Sequence, residues 1–183
     1  MDLALQVAAL GLVGTLVAAV YNARQEQVRR RQSAELEFLR IQIGELYGPL
    51  AGLLQQRKSI FEVSLAAFPS DGEKQLRNQW SNTDWDAWHF LVDRYLLDLD
   101  SQIVGIINTK THLLENAQIP IYLEQLIKHI AQQDSLYSLS REKQLIKDAG
   151  HFFVPYPQQI VEEVKSSLAR LRDRHQGLLR SAR

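Results

Sequence analysis

The sequence predicts an all-α protein in which one N-terminal transmembrane helix precedes a cytoplasmic bundle of about five helices. Two observations predict helices: apolar residues recur at intervals of three and four, and no stretch has the alternation or the Asn-Gly and Asp-Gly turns of strands and hairpins. A third, the apolar run at 3–20, predicts the membrane helix. We divide the chain into an anchor (1–21), a basic juxtamembrane segment (22–32) and a helical bundle (33–183).

The amino-acid composition excludes several classes of function. The chain has 183 residues, with 21 Lys and Arg against 21 Asp and Glu, so no overall basic charge favours nucleic acid as a partner. It contains no cysteine, which excludes disulfides, thiolate metal sites and a cysteine nucleophile. This composition is typical of one folded domain with an appendage.

The predicted anchor runs from Leu3 to Val20 and is interrupted only by Gln6 and Thr15. A helix of about 19 residues rises about 28 Å, close to the thickness of the bilayer hydrocarbon. A cleaved signal peptide is the alternative, but no basic residue precedes the run. A buried core helix is disfavoured because the run has no polar face.

Basic residues directly after the run predict its orientation. They are Arg24, Arg29, Arg30 and Arg31, opposed only by Glu26. The positive-inside rule then places the N-terminus outside and the bundle in the cytoplasm. These arginines either set topology alone or also bind anionic lipid headgroups.

Small residues in the anchor recur on one face, which would let a second helix approach closely. They are Ala4, Ala8, Gly11, Thr15 and Ala18. This face predicts assembly with another copy of the chain or with a larger membrane protein, and a lone anchor is the alternative.

The first bundle helix is predicted to carry its buried face on leucine and isoleucine residues at heptad-like intervals. These are Leu36, Leu39, Ile43, Leu46, Leu50 and Leu53. Pro49 predicts a kink or break near residues 47–49, after which the helix resumes to about residue 67. Gly44, Gly48 and Gly52 share one side of it and predict a close helix crossing, with a ligand contact and a hinge as alternatives.

Four further helices are predicted. A polar loop at 69–83 precedes the first of them, which is capped by Thr83. The buried seam of this helix is predicted to be Trp85, Trp88, Val92, Tyr95, Leu99, Ile103 and Ile106. Two shorter helices follow, from Pro120 to before Asp134 and from Ser135 to Ala149, the second closed by Gly150. The last begins near Pro157 with a coiled-coil-like seam of Val161, Val164, Leu168, Leu171, His175 and Leu178.

Two sets of aromatic residues are candidates for binding a partner. Trp80 lies in the polar loop, where exposure would make it a hot spot. Phe152, Phe153 and Tyr156 lie between helices, where they either plug the end of the bundle or present an apolar surface.

No pattern indicates catalysis, and we predict no catalytic residue, no cofactor and no metal site. His89 with Asp93, and His112 with Glu115, each share a helix face, but two ligands on one helix are common by chance. Asp98 and Asp100 point in different directions and are predicted to lie on a solvated face.

The strings ELYGPLAGLL at Glu45–Leu54 and FFVPYPQQIVEEVKSSLARLR at Phe152–Arg172, together with the anchor, resemble a group of uncharacterised bacterial single-pass membrane proteins. The resemblance implies a bacterial inner (plasma) membrane location and a cytoplasmic helical domain. It implies no catalytic residues.

These patterns predict a non-catalytic membrane-anchored scaffold or accessory subunit. A membrane-tethered sensor that binds a small ligand at the kink, between Tyr47 and Trp88, is the alternative. An enzyme with a metal at His89, Asp93 or His112 is a third.

Overall fold

A computed structural model describes residues 3–68, 79–115, 118–143 and 154–181 of the chain. It does not describe the side chains of residues 3–14, 17, 65, 136 and 139–143. Within the described ranges the backbone is helical with no strand, which confirms the all-α class.

In the described ranges, six α-helices and two π-helical turns make up four continuous helical stretches. The first stretch is α1 (Leu3–Ile41), a π turn (Gln42–Tyr47) and α2 (Gly48–Ala66). The second is α3 (Asn82–Leu91), a π turn (Val92–Leu96) and α4 (Leu97–Thr109), followed by a 3₁₀ turn (Thr111–Leu113). The third and fourth are α5 (Ile121–Lys143) and α6 (Ile160–Ser181).

The chain forms two compact units. The first consists of Met1–Arg40 with Arg172–Arg183, and the second of Ile41–Leu171. Within the first unit, Arg174 Nε donates to a carboxylate oxygen of Glu35 at 3.0 Å, joining α6 to α1. The second unit contains most of the buried apolar side chains.

The predicted anchor has a helical backbone from Leu3 onward, as part of α1. The side chains of Ala4, Ala8 and Gly11 lie outside the described residues, whereas Thr15 and Ala18 are described and exposed. In the part of the chain that the structure describes, no helix is both long enough and apolar enough to cross a membrane.

The core of the second unit is built from the first π turn and from α2, α4, α5 and α6. Its most completely enclosed side chains include Leu46, Leu50, Leu54, Ile103, Leu123, Leu126, Ile160 and Val164. The predicted coiled-coil-like seam of α6 is confirmed for its first four positions, which are buried. His175 and Leu178, at the end of the seam, are half-buried.

The predicted irregularity at Pro49 is a π turn rather than a break. Pro49 has no N–H, so the Glu45 carbonyl cannot receive the usual α-helical hydrogen bond from it. The Gly48 N–H instead donates to the carbonyl of Ile43, five residues earlier. The helix therefore continues through the proline with a wider turn in front of it.

The glycines beside this turn do not form the predicted helix crossing. A Cβ atom at Gly44 or Gly52 would have no described heavy atom within 4 Å, apart from its own helix and chain neighbours. At Gly48 it would lie 2.6 Å from the Ile43 carbonyl oxygen, the atom that accepts the π-type hydrogen bond. The prediction of a close crossing is wrong, and Gly48 is required by its own helix.

The second π turn changes the predicted seam of the next helix. Leu96 and Ile107 are buried, whereas the heptad pattern predicted that Tyr95 and Ile106 would be buried in their place. Tyr95 is 44% exposed. A π turn holds about one more residue than an α turn, so it rotates the positions that follow it relative to the core.

Two predicted helix ends are wrong. Ser81, not Thr83, caps α3: its Oγ accepts from the Asp84 N–H at 3.2 Å, and the Ser81 N–H donates to the Asp84 carboxylate. Helix α5 passes through Asp134 and Ser135 without a break, because Asp134 is exposed and Ser135 Oγ donates to the Ala131 carbonyl. The predicted cap at Gly150 lies outside the described residues.

Candidate functional site

Trp80, which was predicted to contact a partner from an exposed loop, is enclosed. Trp80 is 7% exposed, so its predicted exposure in the loop is wrong. Its ring stacks on Phe68 with centroids 4.6 Å apart and also contacts Trp85 and Trp88. Phe152 and Phe153 lie outside the described residues.

A buried ion pair joins α2 to α4. The Arg57 guanidinium donates to both carboxylate oxygens of Asp100, from Nε to one and from Nη2 to the other at 3.1 Å. Their side chains are 5% and 3% exposed. The predicted solvated position of Asp100 is therefore wrong, because the π turn before α4 brings it to the core face.

Two further polar residues surround this ion pair. The Tyr156 ring lies beneath the Arg57 guanidinium, whose Cζ is 4.4 Å from the ring centroid. The His129 ring meets Tyr156 edge-on at 5.3 Å, and His129 Nδ1 lies 2.7 Å from the Val154 carbonyl oxygen. Tyr156, one of the three aromatic residues predicted to lie between helices, is thus half-buried beside this ion pair.

Burial beside the ion pair shifts the pKa values of both neighbours. Burial lowers the pKa of His129 and the Arg57 charge lowers it further, while the Val154 carbonyl and Asp100 oppose the change. Burial also raises the pKa of Tyr156. At neutral pH the group is therefore one ion pair with a neutral histidine and a neutral phenol.

The first π turn is tied to the turn at 110–115 by side chains of both. Gln42 Nε2 donates to the Leu113 carbonyl at 2.7 Å in the core. Lys110 Nζ lies 2.5 Å from a carboxylate oxygen of Glu45. These contacts place Tyr47, the last residue of the π turn, beside Glu115.

A cavity of about 180 Å³ opens next to Tyr47. Its walls come from the π turn, from Glu115, Gln118 and Pro120, and from α5 and α6. The polar side chains on these walls are those of Tyr47, Glu115, Gln118, Tyr122, Glu163, Ser167 and Arg170. The cavity is the candidate binding site of this protein.

Two of the charged side chains on the cavity walls form an ion pair with each other. Arg170 Nη2 donates to both carboxylate oxygens of Glu115 at 3.0 Å. Burial raises the pKa of Tyr47 to about 12, and Tyr122 and Glu115 add to the shift. Burial likewise raises the pKa of Tyr122. Both phenols are therefore neutral at physiological pH and can donate or accept a hydrogen bond.

The predicted ligand site at the kink was expected to include both Tyr47 and Trp88, and it stays a prediction. Tyr47 lines the cavity, whereas Trp88 is not among its lining residues and belongs to the aromatic cluster with Phe61 and Phe68. Spacing along one helix carries no information on which faces of different helices meet.

The candidate metal residues do not converge. The described side chains include no group of three or more His, Cys, Asp or Glu placed to hold a metal ion. His89 packs against Trp85 and Tyr137. His112 is exposed, and the Glu115 predicted to pair with it binds Arg170 instead.

The juxtamembrane arginines lie on the exposed surface of α1. Arg30 Nε donates to Glu26 at 2.9 Å, an ion pair within the helix. The side chains of Arg24, Arg29 and Arg31 are exposed to solvent.

Pattern analysis missed Arg57, Asp100 and His129. Signals for two of them were present: Arg57 follows Leu50 and Leu53 of the predicted buried face at helical spacing, and His129 follows Leu126 by three residues. A charged or titratable residue on a predicted buried face indicates a buried partner. Asp100 had no such signal, since its position depends on the π turn.

Comparisons with known proteins add no relative. No family model matches the chain, and neither a curated protein nor a solved structure does. The resemblance to bacterial single-pass membrane proteins stays a prediction.

Proposed function

We propose that this protein is a non-catalytic scaffold or accessory subunit, anchored in the bacterial inner membrane, that assembles with itself or with a larger membrane protein. The N-terminus lies outside and the bundle lies in the cytoplasm. The observation that carries the proposal is the length and continuity of helix α1.

Helix α1 holds three kinds of segment on one unbroken backbone of 39 residues, about 58 Å long. The apolar run 3–20 comes first, the arginines 24–31 follow, and the buried Leu39 lies near its end. A partner that packs against the apolar run would contact the same helix that carries the arginines.

The arginines support the orientation. Their exposed guanidinium groups directly follow the apolar run, where cytoplasmic headgroups would lie. Anionic lipid would add about 1 kcal/mol for each basic residue near the surface.

The small-residue face of the run is the proposed assembly surface. Ala4, Ala8, Gly11, Thr15 and Ala18 repeat at intervals of four and three, which keeps them on one side of a helix. Larger residues at these positions would hold a partner helix away.

Two measurements test the proposal. Washing native membranes with alkaline carbonate tests the anchor: the chain stays in the pellet if α1 is inserted, and its release would remove the membrane proposal. Purification through a C-terminal tag in mild detergent, followed by mass spectrometry, then identifies the partner and its ratio.

A matched pair of variants tests the assembly surface. Gly11→Leu should abolish co-purification or self-association, whereas Val13→Leu, about half a helical turn away, should not. Equal assembly of both variants with the wild type would exclude this face.

A second candidate function, a sensor that binds a small ligand, is favoured by the cavity beside Tyr47. A buried phenol and a buried serine hydroxyl both line it. Polar groups at the wall of a concave site are the usual means of orienting a small ligand.

A further inference from the structure

Two of the residues that line the cavity beside Tyr47 are buried, which distinguishes it from an ordinary surface depression. Tyr47 and Ser167 are only 2% and 6% exposed, yet both line it. The cavity is open to solvent, and the exposed Glu163 and Arg170 line it together with these two buried residues. A ligand there could exchange hydrogen bonds with both kinds of side chain.

The net charge of the walls is negative. Glu115 and Glu163 contribute two carboxylates, and Arg170 contributes one guanidinium. Arg170 is engaged by Glu115 in a two-oxygen contact. Among the described residues no basic side chain forms an ion pair with Glu163, which faces the same cavity from α6.

The walls are suited to an N–H donor with a positive charge. The Glu163 carboxylate can accept a charge-assisted hydrogen bond, and the neutral hydroxyls of Tyr47, Tyr122 and Ser167 can accept others. Among the described residues that line the cavity, Arg170 is the one cationic donor, and its Nη2 already donates to both Glu115 oxygens and to Ser167 Oγ. A metal ion would need more ligands than the described side chains bring together.

The volume limits the size of the ligand. At about 180 Å³ the cavity is smaller than drug-binding pockets of about 300–1,000 Å³. It is slightly larger than an engineered cavity of about 150 Å³ that binds benzene. A short alkyl chain with one polar head is therefore the largest ligand that fits.

We propose that this cavity binds a small organic monocation, a primary ammonium compound with a short carbon chain, whose nitrogen lies between Glu163 and the hydroxyls of Tyr47, Tyr122 and Ser167. The proposal rests on the second candidate function, the ligand-binding bundle. It does not depend on the membrane anchor.

The test uses the full-length chain in detergent with butylammonium as the probe, and with butanol and butyrate as neutral and anionic analogues. Isothermal titration calorimetry should show saturable binding of butylammonium, with a dissociation constant of about 1 mM or lower, and binding at least about tenfold weaker for each analogue. The melting temperature should rise with butylammonium alone.

A matched pair of variants locates the site. Glu163→Gln should weaken butylammonium binding about tenfold or more, whereas Glu162→Gln, next to it on α6 and outside the cavity walls, should leave it unchanged. Both side chains are exposed, so the two variants should melt near the wild-type temperature without probe. Tyr47→Phe, which keeps the ring, should weaken binding by a smaller factor.

The possible outcomes distinguish the cation site from the more general ligand-binding function. If butyrate or butanol binds as tightly as butylammonium, or if Glu163→Gln binds like the wild type, the cation assignment fails while a ligand-binding bundle stands. If none of the three compounds binds, both the cation site and the sensor function are overturned.

Discussion

The two compact units of this protein each contain an ion pair between helices, and the two pairs have opposite surroundings. In the first unit, Arg174 and Glu35 have side chains that are 63% and 37% exposed. In the second, Arg57 and Asp100 are almost fully enclosed. The same chemistry should therefore contribute very differently to stability.

The difference follows from solvation. Water screens an exposed pair, so its formation is worth about 0–1 kcal/mol. A buried pair loses the hydration of both charges, and its partners are stable there only while they stay together. The second unit adds the Tyr156 ring and the His129 imidazole around its pair, which makes any single change in the group costly.

The largest effect is expected from removing one buried charge. Asp100→Asn keeps the shape but leaves the Arg57 charge without a counterion, so the free energy of unfolding should fall by about 3–5 kcal/mol in urea denaturation. Asp98→Asn, an exposed change two residues away, is the control and should cost less than about 0.5 kcal/mol.

A double variant sharpens this test. Replacing both partners, as in Arg57→Leu with Asp100→Leu, removes the unpaired charge and should recover much of the loss. If the double variant is as unstable as the sum of the two single ones, the pair is not coupled as the structure indicates.

The next effect is expected at the first π turn. Gly48→Ala places a methyl group against the Ile43 carbonyl oxygen, so the turn must shift, at a cost of about 1–3 kcal/mol. Gly44→Ala and Gly52→Ala meet open space and should be neutral or stabilising by up to about 1 kcal/mol, because alanine favours helix. Thermal unfolding compares the three variants. Equal melting temperatures for all three would contradict the π turn.

A smaller effect should appear as a pH dependence. Burial and the Arg57 charge lower the pKa of His129 in the folded state, so below about pH 6.5 the unfolded chain binds more protons. This contribution to stability should be constant above about pH 7.5 and should be lost progressively as the pH falls through 6.5 toward the folded-state pKa.

Urea midpoints measured between pH 5 and pH 8 check this slope. His129→Gln should reduce it, whereas His112→Gln, a change at an exposed histidine, should leave it intact. An unchanged slope in His129→Gln would assign the pH dependence to other groups.

The smallest effect is expected at the exposed pair. Arg174→Ala and Glu35→Gln should each change the free energy of unfolding by less than about 1 kcal/mol, and less again in high salt. A loss comparable to that of Asp100→Asn would show that exposure does not distinguish the two pairs.

The fold class and the position of the helix irregularity could be predicted because both depend on local chemistry. Helical spacing of leucines, and a proline without an N–H, act within a few residues of themselves. The buried seam of α6 was predicted for the same reason, since no π turn precedes it within that helix.

The candidate site could be predicted only in part. Tyr47 was identified because it lies at the proline-associated turn, but Glu115, Tyr122, Ser167 and Arg170 come from three other elements of the chain. Nothing in the spacing of residues along one helix indicates which faces of different helices meet.

The sequence by itself determined that this chain is helical and that Pro49 disturbs its first long helix, because periodicity and proline geometry are properties of neighbouring residues. Only the tertiary structure decided that Asp100 is buried against Arg57, 43 residues away, and that Trp80 is enclosed. The second π turn rotates the residues that follow it relative to the core, and no proline in that helix marks its position along the chain.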